Sequence, residues 1–389
     1  MGTASEPHWQ PPAAGRCRVV RPGTRQLGHH EVAGSRQGFT RGPAGMRVHA
    51  AGNDNPNKGE QMNPTSTRVV ITGASSGIGA ATAIAFAREG AMLVLGARGK
   101  EGLDDVARRC REAGGSAEVR VVDVTEADAV AAFAREAREI LGEIDLWFSD
   151  VGIGVVGKYP EVPLEDHRRV IEANLLSHMH DAHAVLPVFL EQGHGIWVNM
   201  ISAGGFVPSP YSAAYSASKF GLRGFSEALR AELQDHPRIH ICDVYPTFVD
   251  TPGFRHAGNY TGAKLSYPPG TLTPEKVADA IVSLAEQPRN TTVIGAPAAL
   301  LKLSELAAPL PAMLMNRFLD AWSKRADRTA DTAGTLYTPQ RGASGIHSGL
   351  RQPGQQRNTA LLVGAGLAVG VLGWQLLRRR DAREDEGSY

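Results

Sequence analysis

The chain has 389 residues, enough on length alone for two or three domains. Lys+Arg 41 against Asp+Glu 40 gives a net charge of +1, which excludes a nucleic-acid coat or an acidic tail protein, and 42% hydrophobic with 21% charged residues excludes wholesale disorder. Cys17, Cys110 and Cys242 lie far apart with no CxxC, which excludes a disulfide scaffold and a Cys-based zinc site and suits a reducing compartment.

Residues 1–61 hold 10 Gly, 6 Pro, 8 Lys/Arg and 4 Asp/Glu and contain no apolar run for a strand, an amphipathic helix or a secretory signal. They are expected to be a disordered or untranslated leader. Lys58-Gly59-Glu60-Gln61 precedes Met62, and its codons can spell a purine-rich ribosome-binding site; in a bacterial source Met62 would be the true start.

From Arg68 short β-branched runs alternate with helical patterns. Strands are predicted at Arg68–Thr72, Met92–Ala97, Ala117–Val122, Leu146–Ser149, Ile196–Ile201, Arg238–Tyr245 and Thr292–Ile294. Helices are predicted near 77–90, 101–114, 126–141, 163–190, 212–234 and 274–287. Strands apolar on both faces, separated by helices, make βαβ units and a parallel sheet. The expected fold is α/β, a Rossmann-type doubly wound sheet of seven strands in a single domain over 64–300.

Residues 298–326 are apolar-rich and helical, with 301–326 an extension beyond the domain; it packs as a lid or lies against a membrane. Residues 327–358 read as a Gly/Pro/Gln-rich linker. Thr359–Leu377 is uncharged and would span about 28 Å as a helix, close to a bilayer core. With Trp374, Arg378–Arg380 and the Gly366/Gly370 pair it is expected to be a transmembrane anchor, followed by a charged tail at 378–389.

Thr72-Gly73-Ala74-Ser75-Ser76-Gly77-Ile78-Gly79 joins the first strand to the first helix. Gly73 permits a tight turn, Gly77 lets backbone approach a pyrophosphate, and Gly79 lets helix and strand pack closely. The helix N-terminus then presents N–H groups to the anion. The second strand ends at Ala97-Arg98, where an acidic residue would select NAD; a guanidinium suits a 2′-phosphate, with Ser75 and Ser76 beside it. Tyr215 and Lys219 share a helix face, and an ammonium near a phenol lowers its pKa toward neutrality. Ser202 ends the fifth long strand, 13 residues before Tyr215.

The TGxxxGxG spacing and the YxxxK resemble the classical branch of the short-chain dehydrogenase/reductase family. The resemblance spans about 68–296 and extends to Asp250-Thr251-Pro252, His256 and Asn259-Tyr260-Thr261-Gly262, like a bacterial subgroup with hydrophobic C-terminal tails. It implies NADP(H) as cofactor, held by Gly73, Ser75, Ser76, Gly77, Ile78, Gly79, Arg98, Asp123, Val124, Tyr215, Lys219 and Thr251. Asp123 would read the adenine amino group or cap a helix, and Thr251 would contact the carboxamide. The implied catalytic residues are Asn174, Ser202, Tyr215 and Lys219. Ser202 orients a carbonyl, Tyr215 exchanges its proton, Lys219 tunes the tyrosine and binds the ribose, and Asn174 connects a water relay.

Ser149-Asp150-Val151-Gly152 departs from the family's Asn-Asn-Ala-Gly, adding a charge and two methyls near the cofactor. Thr247, Ser177, Asp181 and Ile201 are further departures. His178, His180, Asp181 and His183 do not make a metal site, because 178 and 180 point about 200° apart on a helix.

The expected function is NADP(H)-dependent carbonyl reduction or the reverse oxidation of a lipophilic small molecule. The catalytic domain would lie on the cytoplasmic side of a membrane, with no nucleic-acid partner and a possible homo-oligomer. The alternative is a non-catalytic NADP(H)-binding sensor or scaffold. An extended-branch epimerase would need a different glycine spacing and a larger C-terminal domain.

Overall fold

A strand apolar on both faces needs cover on both, and here helices supply it. The computed structural model describes residues 67–267, 270–297, 299, 310–338 and 345–349, all within the compact unit Lys58–Tyr389. Strands β1 (Arg68–Thr72), β2 (Met92–Ala97), β3 (Ser116–Val121) and β4 (Leu146–Ser149) form one half of the main sheet. After a short β5 (Val155–Val156) come β6 (Gly195–Met200), β7 (Ile239–Pro246), a short β8 (Gly258–Asn259) and β9 (Thr291–Ile294). The main sheet has seven strands in the order β3-β2-β1-β4-β6-β7-β9, every neighbouring pair parallel. This is the expected single α/β domain with a doubly wound sheet.

Alternate residues of each strand enter opposite cores. Val69, Ile71, Leu93, Leu95, Phe148 and Val198 pack with α1 (Gly77–Arg88), α2 (Lys100–Glu112) and α8 (Pro274–Glu286). Val70, Val94, Trp147, Trp197 and Ile241 face α3 (Ala127–Leu141) and α5 (Ser177–Gln192). The order reverses between β1 and β4, so their carboxyl ends open a crevice at the switch point.

The predicted long helix 163–190 is three pieces: α4 (Leu164–Ile171), a π-helical turn at Glu172–Leu176 and α5. The wide turn carries Asn174, and such turns recur at functional sites. Next come α6 (Ala213–Glu232), α7 (Pro252–Arg255) and, beyond the sheet, α9 (Leu310–Arg325). Strands β5 and β8 form a separate two-stranded sheet that the apolar pattern did not announce. The reading of 327–358 as a linker is corrected for its described part: 327–337 pairs its backbone with 256–264, which satisfies the polar groups that composition alone assigns to solvent. The predicted anchor Thr359–Leu377 and the leader 1–61 lie outside the described residues. Among the described residues no helix is long and apolar enough to cross a membrane.

The last residues of β1 and β4 are joined by one buried carboxylate. Asp181, 1% exposed, accepts Thr72 Oγ1 at 2.6 Å and Ser149 Oγ at 2.7 Å. Burial pushes its pKa up to about 6, against the pull of those two hydroxyls. Replacing Asp181 with Ala removes the shared acceptor of both hydroxyls, and we expect a loss of about 2–3 kcal/mol in a denaturant titration, with Asp181→Asn losing less than half as much.

Candidate active site

The turn after β1 is shaped by what glycine lacks. Gly73 has φ +83°, and a Cβ there would meet the Asp150 carbonyl carbon at 2.8 Å. A Cβ on Gly79 would fall on the Gly73 carbonyl oxygen and 3.0 Å from Asp150 Oδ2. Gly77, φ +56°, opens α1 and faces Thr251, whose Cβ is 3.3 Å from the place a Gly77 Cβ would take. Ser76 is the N-cap residue, yet its hydroxyl makes no capping bond. Backbone is thus brought to close approach around a helix N-terminus, the arrangement a pyrophosphate requires.

At the end of β2, Arg98 is half-buried beside Asp123 and Arg169. Burial is the main cause lowering its pKa; Arg169 adds to this and Asp123 opposes it. Asp123 accepts Thr125 N–H at 3.1 Å and its hydroxyl at 2.7 Å, and lies 3.7 Å from Arg169. It therefore forms a local turn; the N-cap of α3 is Glu126. Burial resists its ionisation, but Thr125, Arg98 and Arg169 together hold its pKa below the usual value. Arg169, which no local sequence signal marked, also donates to the Leu336 carbonyl at 3.2 Å.

The structure brings Ser202, Tyr215 and Lys219 together. Ser202 follows β6 with φ 132° and ψ 157°, a region nearly reserved for glycine and a mark of strain held for function. Its Oγ accepts Gly204 N–H at 3.1 Å, and Oγ and the Tyr215 ring both border the place a Gly204 Cβ would take, at 3.6 and 3.2 Å. Burial raises the Tyr215 pKa, and the Ser202 contact draws it back. Lys219, 2% exposed, donates from Nζ to the Met200 carbonyl at 2.9 Å and sits 5.8 Å from the Tyr215 ring centroid. Tyr211 is directed elsewhere, to Asp320 on α9 at 3.4 Å.

Asn174 is fully buried and clamps Ile153: Oδ1 accepts its N–H at 2.8 Å and Nδ2 donates to its carbonyl at 2.9 Å. The side-chain amide thus pins the segment after β4. Asp150 belongs to the same locus; its Oδ2 lies 3.0 Å from the place a Gly79 Cβ would take, and its carboxylate faces Lys219 electrostatically. Burial raises the carboxyl pKa and lowers that of the ammonium, and each partner opposes the other's shift. His178 lies between the Asn199 amide oxygen (2.7 Å) and the Val151 carbonyl (2.8 Å), and burial, then Lys219, pushes its pKa down to about 3. His180 turns instead to the Val124 carbonyl at 3.0 Å.

Residues 67–259 match the family model described as short chain dehydrogenase. The chain is 32% identical over 230 residues to the ketoacyl reductase HetN of a Nostoc species, covering 59% of this chain and 78% of that protein. The chain belongs to the short-chain dehydrogenase/reductase family. An uncharacterized oxidoreductase, YxnA of Bacillus subtilis, is 28% identical over 325 residues, covering 80% of this chain and 90% of the relative. Estradiol 17-beta-dehydrogenase 11 of Mus musculus is 29% identical over 243 residues, covering 62% and 79%. Among solved structures, an alcohol dehydrogenase from the archaeon Thermococcus sibiricus, complexed with 5-hydroxy-NADP, superposes with a TM-score of 0.52. It is 29% identical and aligns over 59% of this chain and 94% of that one. This family member is accordingly an oxidoreductase built around a nicotinamide dinucleotide.

Two helical glycines test the cradle. Gly79→Ala forces a Cβ against backbone that cannot yield, and we expect a lower Tm and at least tenfold weaker dinucleotide binding. Gly224 lies in α6 with nothing within 4 Å of its Cβ position, so Gly224→Ala should stabilise by about 0.5–1 kcal/mol and leave binding unchanged in the same titration.

Proposed function

We propose that the protein is an NADP(H)-dependent carbonyl reductase, or alcohol dehydrogenase in reverse, acting through Ser202, Tyr215 and Lys219. The observation that carries the reading is the convergence of these three side chains: Ser202 Oγ and the Tyr215 ring border the same Gly204 Cβ position, and Lys219 Nζ sits 5.8 Å from that ring. Gly73, Gly77, Ile78 and Gly79 would receive the pyrophosphate, and Thr251 would border it. Arg98, with Ser75 and Ser76 nearby, would receive the 2′-phosphate; Asp123 and Val124 would flank the adenine. Hydride exchange with the substrate carbon is the chemistry such a cofactor supplies when bound.

Ser202 would hold the substrate oxygen, and Tyr215 would give it a proton in reduction or accept one in oxidation. Lys219 would keep positive charge beneath the phenol, and Asn174 would hold the Ile153 backbone that walls the site. The apolar surface of α9, where Met313, Leu314 and Phe318 are exposed, supports a lipophilic substrate and a membrane-facing position. The anchor at Thr359–Leu377 remains part of this proposal on its sequence alone.

A second reading, a non-catalytic NADP(H)-binding sensor or scaffold, is favoured by Asp150, a carboxylate where relatives carry an amide. Titration of the full chain with NADPH and NADH, then assays on ketones, aldehydes and alcohols, separates the two. Tyr215→Phe should cost at least about 100-fold in kcat with cofactor affinity retained. Tight NADPH binding with no turnover, and no difference between wild type and Tyr215→Phe, would support the sensor. Arg98→Leu should weaken NADPH about 10- to 100-fold and leave NADH nearly unchanged.

The pH profile has a defined sign. Reduction needs the phenol protonated, and burial raises its pKa, so reduction should hold its rate through neutral pH. Oxidation needs the phenolate and should climb with pH; an oxidative optimum at or below pH 7 would contradict this assignment.

A further inference from the structure

The segment beyond α9 returns to the crevice. Residues 327–337 run antiparallel along 256–264: Lys264 N–H donates to the Asp327 carbonyl (2.7 Å), Thr329 N–H to Gly262 (3.2 Å) and Thr335 N–H to His256 (3.0 Å). Asn259 and Thr332 exchange bonds in both directions at 2.7 and 3.0 Å. Leu336, 2% exposed, packs in the apolar cluster that Tyr215 borders. The Tyr337 hydroxyl donates to Asp166 at 2.6 Å, and its carbonyl accepts from Arg98 at 3.4 Å.

A second stretch closes the other end of the crevice. The Gly345 carbonyl accepts the Gly77 N–H at 3.1 Å, at the opening of α1. Ile346 is 9% exposed and joins the core cluster that contains Ala74, Leu272 and Ile294. His347 Nε2 lies 2.9 Å from Glu275, and the Ser348 hydroxyl bonds the buried Asp250 carboxylate, beside Thr251. Main-chain carbonyl oxygens, each carrying partial negative charge, therefore meet two groups suited to phosphate: the N-terminal amide of α1 and the Arg98 guanidinium.

We propose that residues 345–348, tethered by 327–337, are an internal competitor that occupies the pyrophosphate side of the dinucleotide crevice and must withdraw before cofactor binds. The proposal rests on the dinucleotide-binding reading above. An N–H carries one proton, so Gly345 and a pyrophosphate oxygen cannot both take Gly77 at full strength. The Ser348–Asp250 and Ile346 contacts hold the competitor in register. Arg98 has several donors, so its contact with Tyr337 guides the tether without excluding a phosphate. When only the withdrawn fraction is competent, the apparent dissociation constant is the intrinsic one divided by that fraction.

The test uses the full chain as wild type, Ile346→Ser and Ser348→Ala, each titrated with NADPH by calorimetry. Both variants should bind more tightly, Ile346→Ser by about tenfold and Ser348→Ala by about threefold. In wild type, saturating NADPH should speed amide hydrogen exchange at 345–349. Unchanged or weaker binding in both variants, or slower exchange with NADPH, overturns the competitor and leaves the oxidoreductase reading standing. Absence of any dinucleotide binding in all three proteins overturns both.

Discussion

Thr72 and Ser149 end neighbouring parallel strands, and one buried carboxylate, that of Asp181, holds both hydroxyls. The glycine turn and Asp150 are placed from those two strand ends. Gly73 begins the phosphate turn one residue after Thr72, and Asp150 follows Ser149. The two segments then approach so closely that a Cβ at Gly73 or Gly79 would strike backbone. The Asp150 N–H closes the contact by donating to the Thr72 carbonyl at 3.1 Å. The geometry of the turn is therefore a consequence of strand pairing and of side-chain absence.

Around Lys219 the charges form one balanced group. Asp150 favours the ammonium and burial opposes it. The same ammonium helps keep His178 neutral. A neutral imidazole has one N–H, so of its two oxygen neighbours, the Asn199 amide oxygen and the Val151 carbonyl, it donates to one at a time. The departure from the family at 149–152 is thus matched by partners on α5 and β6. Asp181 holds Ser149, His178 holds Val151, and Asn174 holds Ile153. These contacts hold the segment as a fixed wall.

Most of the fold was legible because a buried parallel sheet leaves a local mark. The runs at Arg68–Thr72, Met92–Ala97 and Leu146–Ser149 match the observed strands end for end, and the others shift by one residue. Tyr215, Lys219 and Ser202 were legible through spacing, since a four-residue offset on a helix and a strand end fix their meeting. The π-helical turn was not, because Glu172–Leu176 has ordinary helical composition, and the Ile153 backbone that its Asn174 binds lies 21 residues away. Asp123, read as an adenine contact or a helix cap, forms a turn with Thr125.

The sequence by itself determined the parallel α/β sheet, the glycine turn and the four-residue offset of Tyr215 and Lys219, all of which depend on neighbours within a few residues or on burial periodicity. Only the tertiary structure decided that Asp181 ties β1 to β4, that Asp150 faces Lys219, and that Gly345 and Ser348 reach Gly77 and Asp250. The physical reason is sequence distance. A contact 98 residues apart, such as Ser348 with Asp250, leaves no periodic trace. Polar, glycine-rich composition at 327–358 reads as solvated chain until a partner backbone accepts its hydrogen bonds.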